Sequence, residues 1–417
     1  MGAHLKANAS QKMGPTLLCD KSTIQTLVQK APELLHHYFQ LNIPPILVRE
    51  VLGDLAKDGT DSRALQIVKS LAKKLASVYA TANVDFRQLI EGEAAGFPVS
   101  FDYRPVVSGG KQLRSTGGEI GIQLPDDPTE QAFNRWRVGN FDLPEQLTSF
   151  VWREIKATLN WRDSLAKLKG HYSPSLKRRT TLSDTLEFVD DLMAATPDFL
   201  SQWAVEEFGL KLDPKKKFRR QSLSQFPYAG FCIRATLLAL WAMHFGLVSS
   251  KQDNQLDLEY LYYLPFCNAF STNDKFQKTI ANALLDTKQE LVCHNALAED
   301  LSRLSTWLAS LSNKDKKIEM QSLGPPESDS SECSRLWKRF MGPDYRNRKR
   351  LELTPPQEAA MMEHIHKLTK GATELPDGPL ISGDDANFVF RNHEMFDTDP
   401  CPCRSGIPYI ECHGRKV

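Results

Sequence analysis

Apolar residues in this chain follow two rhythms, and the switches between them mark its elements. Thr16-Leu17-Leu18-Cys19-Asp20 is a short apolar run closed by an acid. From Lys21-Ser22-Thr23 onward, Ile24, Leu27, Val28, Ala31, Leu34 and Leu35 fall at helical spacing, so the opening reads strand, turn, helix. After Asn42-Ile43-Pro44-Pro45 the helical period returns over residues 46–55. Val48, Val51, Leu52 and Leu55 lie on one side, and Glu50 and Asp54, one turn apart, share another face. Residues 64–82 predict a further amphipathic helix. Between Gly96 and Gly121 the texture changes to alternation broken by glycines (Gly109-Gly110, Gly117-Gly118, Gly121), which predicts a hairpin-like insertion.

Residues 130–225 carry helical runs interleaved with aromatics and bases. Residues 231–248 return as a strongly apolar helix, Asp257 stands near the start of another, and Cys267 to Asp274 reads as a strand ending in an acid. Leu297, Leu301, Leu304, Leu308 and Leu311 keep the spacing of one more helix before the polar stretch Gly324-Pro325-Pro326-Glu327-Ser328-Asp329-Ser330-Ser331, which predicts a domain boundary. Beyond it come a basic helix or loop over 335–350, a short helix near 356–370, and a cysteine-rich tail. There is no internal repeat.

Composition narrows the classes. At 417 residues the chain has room for two or three domains, and 41% hydrophobic with 25% charged residues excludes wholesale disorder. The 52 Lys plus Arg against 51 Asp plus Glu give a net charge of +1, so any nucleic-acid contact must come from local basic patches. The longest apolar run, residues 237–248, is too short to span a bilayer and contains His244. The first fifteen residues lack the apolar core of a secretory signal, and Lys6 occupies the place where myristoylation requires Ser or Thr. The expectation is a soluble, cytoplasmic protein. Of eight Cys, Cys401, Cys403 and Cys412 crowd the tail and the rest are scattered, which is not a disulfide framework.

The acids carry the first chemical signal. In open α/β sheets, ligands bind in the crevice outside the carboxyl ends of the strands, where Asp20 and Asp274 would stand. If Glu50 and Asp257 point into the same crevice, four carboxylates converge, an arrangement that costs repulsion unless a cation joins them. Mg²⁺ or Mn²⁺ takes oxygen ligands and activates water, which makes phosphodiester hydrolysis the natural reaction.

The order and local sequence of these residues resemble the PIN domain of ribonucleases. The matching features are the opening strand ending in Asp20 with Ser22 two residues on, Pro-Pro-Ile-Leu-Val-Arg-Glu50 on an early helix, Asp257 near a helix start, and the closing Ser271-Thr272-Asn273-Asp274. The resemblance covers roughly residues 15–95 and 226–285. It implies an α/β fold with a parallel sheet flanked by helices, an RNA substrate, and Asp20, Glu50, Asp257 and Asp274 as metal-binding acids. Ser22 and Thr272 or Asn273 would support them by hydrogen bonds, and Asp54 would be an extra acid. Where the family has a short helical connection, 207 positions separate Glu50 from Asp257, so Asp253 and Glu259 compete for the third place.

Two readings of the insertion stay open. It is an elaborated surface domain with solvated charges, or Lys177, Arg178, Arg179, Lys215, Lys216, Lys217, Arg219 and Arg220 contact phosphates while Trp136, Trp152 or Trp161 stack on unpaired bases.

The tail, Asp399-Pro400-Cys401-Pro402-Cys403-Arg404-Ser405-Gly406 through Cys412-His413, has the three thiols and imidazole of a tetrahedral Cys₃His zinc site. Such a segment is too short for a core, so metal would supply its folding energy, and with four protein ligands it keeps no open position for substrate. It closely resembles the SEC-C motif of the SecA translocation motor and many otherwise unrelated bacterial proteins. The resemblance implies zinc through Cys401, Cys403, Cys412 and His413 and docking to proteins or the ribosome.

Gly109-Gly110-Lys111 lacks the remaining residues of a phosphate-binding loop, and no Gly-x-Ser-x-Gly elbow occurs. His364 and His366 fall on different helix faces, and the adjacent His36 and His37 are expected in solvated or capping roles. The chain thus divides into a PIN-like domain in two parts (1–100 and 226–285), a mainly helical basic insertion (101–225), a helical connecting region (286–394) and a zinc knuckle (395–417). The expected function is a metal-dependent endoribonuclease. The alternative is a non-catalytic adaptor that binds the ribosome or translocation machinery through its tail.

Overall fold

A computed structural model gives the fold. It describes residues 14–347 apart from breaks at 31, 57–61, 77–79, 108–109, 125–127, 159, 173–177 and 213–221, and beyond them residues 360, 363, 372–375, 388–391, 396–399 and 408–411. Among the described residues nine strands run β1 Thr16–Cys19, β2 Gln40–Ile43, β3 Ala80–Ala82, β4 Lys111–Arg114, β5 Ile120–Leu124, β6 Ala269–Thr272, β7 Glu290–Cys293, β8 Thr373–Glu374 and β9 Phe388–Arg391. Five of them form a sheet in the order β3-β2-β1-β6-β7, and every pair in it is parallel.

The sequence dictates why β1 and β6 lie at the centre. Both are buried along their whole length, as apolar strands covered on both faces by helices must be. Successive side chains point to opposite faces of a strand. Leu17, Cys19, Leu41, Ile43, Ala269 and Val292 therefore enter one core, while Leu18 and Phe270 enter the other. The first core is closed by the helices Pro45–Gly53, Ser62–Leu75, His294–Ser310 and Glu332–Met341, the second by Phe86–Ala94, Pro227–Phe245 and Asn254–Leu261.

Several elements differ from the sequence pattern. The predicted helix over 64–82 stops at Leu75, and Ala80–Ala82 becomes edge strand β3. Strands β2 and β7 carry no clean alternation and are fixed by pairing with β1 and β6. The apolar helix begins earlier than the run predicted, at Pro227, and spans 19 residues. By length and composition alone it is apolar enough to cross a membrane, yet 83% of its most apolar window is buried inside the protein. A helix apolar on all sides is what a fully surrounded core position requires. Its first turn is capped by the buried Glu93, whose carboxylate accepts the Tyr228 N–H at 3.1 Å and the Ala229 N–H at 2.8 Å.

The polar stretch 324–331 packs against the first core. Gly324, at φ +75°, lies so close to the Trp337 and Tyr345 rings that a Cβ there would stand 2.7 Å from Trp337. Trp337 in turn donates its indole N–H to the Tyr38 carbonyl at 2.9 Å. Asp300 accepts both the Ser331 hydroxyl and the Cys333 N–H at 2.8 Å, tying the next helix to the first core.

The insertion is mainly helical, with five helices between Pro128 and Phe208, and opens with the expected hairpin β4–β5. It is not a loose appendage: Trp136 and Trp152 belong to the first core and Trp161 to the second. The segment predicted as a helical connecting region supplies strands β8 and β9, which complete a second sheet in the order β8-β4-β5-β9. The helix predicted near 356–370 lies almost wholly outside the described residues.

His36 and His37, expected in solvated or capping roles, are buried. The His36 Nε2 meets the Lys74 carbonyl, and burial pushes its imidazole down to about 4. Between the ordinary histidine value and 4 the unfolded chain binds a proton the native chain does not, so stability is lost as pH falls through that window. His36→Gln should remove about one proton from this dependence, flattening the loss between pH 6.5 and pH 4 by roughly 2–3 kcal/mol. Urea unfolding at several pH values measures it. An unchanged pH slope would contradict the assignment.

Candidate active site

The chain order of the main sheet reverses at β1, whose neighbours β2 and β6 lie on opposite sides. That switch point is where an open parallel sheet leaves a crevice at its carboxyl edge. Asp20 follows β1 and Asp274 follows β6, so register alone brings them to the same edge.

Each also starts a helix. Asp20 Oδ1 accepts the Thr23 N–H at 2.8 Å, and Asp274 Oδ1 accepts the Gln277 N–H at 2.8 Å. Each carboxylate thereby satisfies an N–H that the first helical turn leaves without an intrahelical partner. The other Asp20 oxygen is fixed by hydroxyls: Ser22 donates to Oδ2 at 2.9 Å, and Thr272 Oγ1 stands 3.0 Å from it. Thr272 Oγ1 also accepts the Asp274 N–H at 3.0 Å, so one hydroxyl links the ends of the two central strands.

Glu50 and Asp257 stand on helices Pro45–Gly53 and Asn254–Leu261. Burial and then the charges of Asp274, Glu50 and Asp20 push Asp257 up to about 8. Asp253 adds a fourth like charge, so Asp257 feels four other carboxylates. Among the described residues, however, no three His, Cys, Asp or Glu side chains are already gathered to hold one metal ion. Mg²⁺ characteristically keeps several waters and uses one or two carboxylates. The all-oxygen, like-charged donor set fits such a hard cation in chemistry.

The competitors for these places are occupied elsewhere. Glu259 pairs with Arg49 and lies 3.8 Å from Arg87. Asp253, by contrast, is exposed, makes no capping bond and adds its charge to those acting on Asp257. Asp54 is buried and paired with Lys21 at 2.8 Å, so it is held as an ion pair beside the acids. Asn273 is exposed and accepts from Lys278 at 3.4 Å, leaving the supporting role to Thr272.

Two side chains of this site carry no signal in the acid pattern. Tyr260 is fully buried and donates its hydroxyl to Glu50 Oε2 at 2.6 Å. It stands three residues after Asp257, on the same side of the helix, which is the one clue the sequence offered. Gln277 sits at the third helical position after Asp274, the spacing of a capping box. Its amide instead donates to the Asp257 carbonyl at 3.1 Å, tying the Asp257 helix to the β6 end.

The expected nucleic-acid surface is not supported where it can be seen. Trp136, Trp152 and Trp161 are all buried and offer no stacking face; a core claims a large apolar ring before a surface does. Arg179 lies over the Phe188 ring at 5.3 Å, while Arg178 is exposed. Lys177, Lys215, Lys216, Lys217, Arg219 and Arg220 lie outside the described residues, as do Cys401, Cys403, Cys412 and His413.

Residues 398–415 match the family model of the SEC-C motif. No curated protein and no solved structure matches the chain.

The raised Asp257 carboxyl opposes folding as pH climbs. The unfolded chain loses the proton near the ordinary aspartate value while the folded chain keeps it to about 8, so stability falls across that window. Asp257→Asn without divalent cation should raise Tm by about 2–4 °C at pH 8 and leave it unchanged at pH 4. Calorimetry at the two pH values measures this, and an equal shift at both would show that the charges do not converge. Tyr260→Phe, which leaves Glu50 Oε2 without its donor, should lower stability by about 1–3 kcal/mol in urea unfolding.

Proposed function

We propose that the protein is a metal-dependent endoribonuclease whose acid site is Asp20, Glu50, Asp257 and Asp274. The observation that carries the reading is the like-charge crowding of Asp257 by Asp274, Glu50 and Asp20 at the switch point of a parallel sheet. Repulsion of this kind is what a divalent cation and a phosphodiester chemistry use and what a purely structural site avoids. The order of the acids along the chain, their strand-end and helix placements and the five-strand parallel order support the likeness to PIN ribonucleases.

Bound at these carboxylates, Mg²⁺ or Mn²⁺ would supply Lewis-acid polarisation of the phosphodiester and an activated water. The chain's own groups set the stage for it. Ser22 and Thr272 orient Asp20, Tyr260 orients Glu50, and Gln277 holds the Asp257 helix against β6. Lys21 offsets the Asp54 charge, so that acid adds little to the repulsion.

The SEC-C match favours a further element of the reading, zinc held by Cys401, Cys403, Cys412 and His413 in a docking motif. If that motif were the whole function, the protein would be a non-catalytic adaptor to the ribosome or translocation machinery, and the acid site would be dispensable.

Cleavage of a labelled RNA pool by the purified protein in Mn²⁺, Mg²⁺ or EDTA separates the two. The expected outcome is cutting that requires the divalent ion and falls by about 10²-fold or more in both Asp20→Asn and Asp274→Asn. Folded wild-type protein that cuts no faster than these variants would leave the adaptor.

A further inference from the structure

The first residues of the segment that matches the SEC-C motif are engaged by the chain's own body. Arg137, at the end of helix Pro128–Arg137, has a side chain only 5% exposed and forms an ion pair with Asp399, itself 11% exposed. The contact is bidentate: both guanidinium terminal nitrogens reach the Asp399 carboxylate, Nη1 at 3.1 Å from Oδ2. The guanidinium also lies over the Phe396 ring at 4.1 Å. A planar fork matching a carboxylate on one side and a ring on another is recognition that Lys cannot reproduce.

Asp399 is the hub of the tail as well as its anchor. Its carboxylate accepts the Phe396 N–H at 3.0 Å and its carbonyl accepts the Tyr409 N–H at 2.8 Å, while the Asp397 carbonyl accepts the Ile410 N–H at 3.1 Å. The pair therefore holds both arms of the motif that flank its cysteines. The approach to it is laid on the insertion too, since β9 pairs with β5 and β8 with β4. Arg137 stands beside the buried Trp136 on a helix packed into the first core, so the receptor is rigid.

We propose that the SEC-C motif of this chain is held in cis, with Arg137 as its receptor and Asp399 as the key, so that the tail is a clasp closing the second sheet onto the insertion. Asp399 and Phe396 are spent on this contact, while Ile410 is exposed. The inference does not depend on the nuclease reading.

Hydrogen exchange of the full chain tests it. In Arg137→Ala, amides of 396–399, 409–411 and the β5–β9 pair should exchange about tenfold or more faster, while those of β1 and β6 keep their wild-type rates. Arg137→Lys should fall between. Asp399→Asn, which removes the charge without changing shape, should reproduce the release if Arg137→Ala proves poorly folded. The swap Arg137→Asp with Asp399→Arg should restore at least part of the protection that either reversal alone destroys. Wild-type exchange in the tail of both Arg137→Ala and Asp399→Asn would overturn the proposal. So would native mass spectrometry showing a wild-type dimer that Arg137→Ala converts to monomer, because the pair would then join two copies.

Discussion

The side-by-side pairing of β1 with β6 constrains everything else, because it joins parts of the chain some 250 positions apart with no turn to help. It is pinned at its start by a reciprocal pair: the Thr16 N–H donates to Asn268 Oδ1 and the Asn268 N–H donates to the Thr16 carbonyl, both at 2.9 Å. Closing so long a loop carries an entropic cost that grows only slowly with its length. The insertion is therefore tolerated provided that the strands flanking it are apolar enough to hold. Both are buried throughout, and Leu17, Leu18 and Phe270 are fully enclosed.

The same pairing sets where two of the candidate acids stand. Parallel strands present their carboxyl ends on one edge, so Asp20 and Asp274 stand at that edge, and the charges of both, with that of Glu50, reach Asp257. The protein orders this crowded set with neutral donors: two hydroxyls on Asp20, a phenol on Glu50 and a backbone N–H on Asp274. The nearby cations are committed differently. Lys21 is bound to Asp54, and Arg49 to Glu259. Asp257 is left to bear the repulsion, and its carboxyl is the one displaced.

The insertion reaches back to this site through packing. At Gly53, three residues after Glu50 on its helix, a Cβ would come within 2.2 Å of the Trp152 ring. The helix that carries Trp152 thus rests directly on the helix that carries Glu50. Helix Pro128–Arg137 adds Trp136 to the same core and Arg137 to the tail. Insertion, tail and acid-bearing helix are consecutive links of one packed chain, which is why the tryptophans that looked like stacking platforms are interior.

Strand-end acids, the cores of β1 and β6, the leucine helix after β7 and the cysteine spacing of the tail were all legible in the sequence. Each depends on residue type and local period, which apolar burial and metal-ligand chemistry fix within a few residues. The hydroxyl of Tyr260, the side chain of Gln277 and the choice of Asp257 over Glu259 were not, because they depend on which face of one helix turns toward the sheet. The packing of the polar stretch 324–331 was not legible for a related reason: glycine and serine favour turns whether or not a Trp337 packs over them. Strands β2, β3, β7, β8 and β9 are short, and partners set their extended form. The sequence by itself determined which residues had to be inside and which carried charge or sulfur. Only the tertiary structure decided which of those charges would share a crevice, since that follows from strand register and helix rotation across positions far apart in the chain.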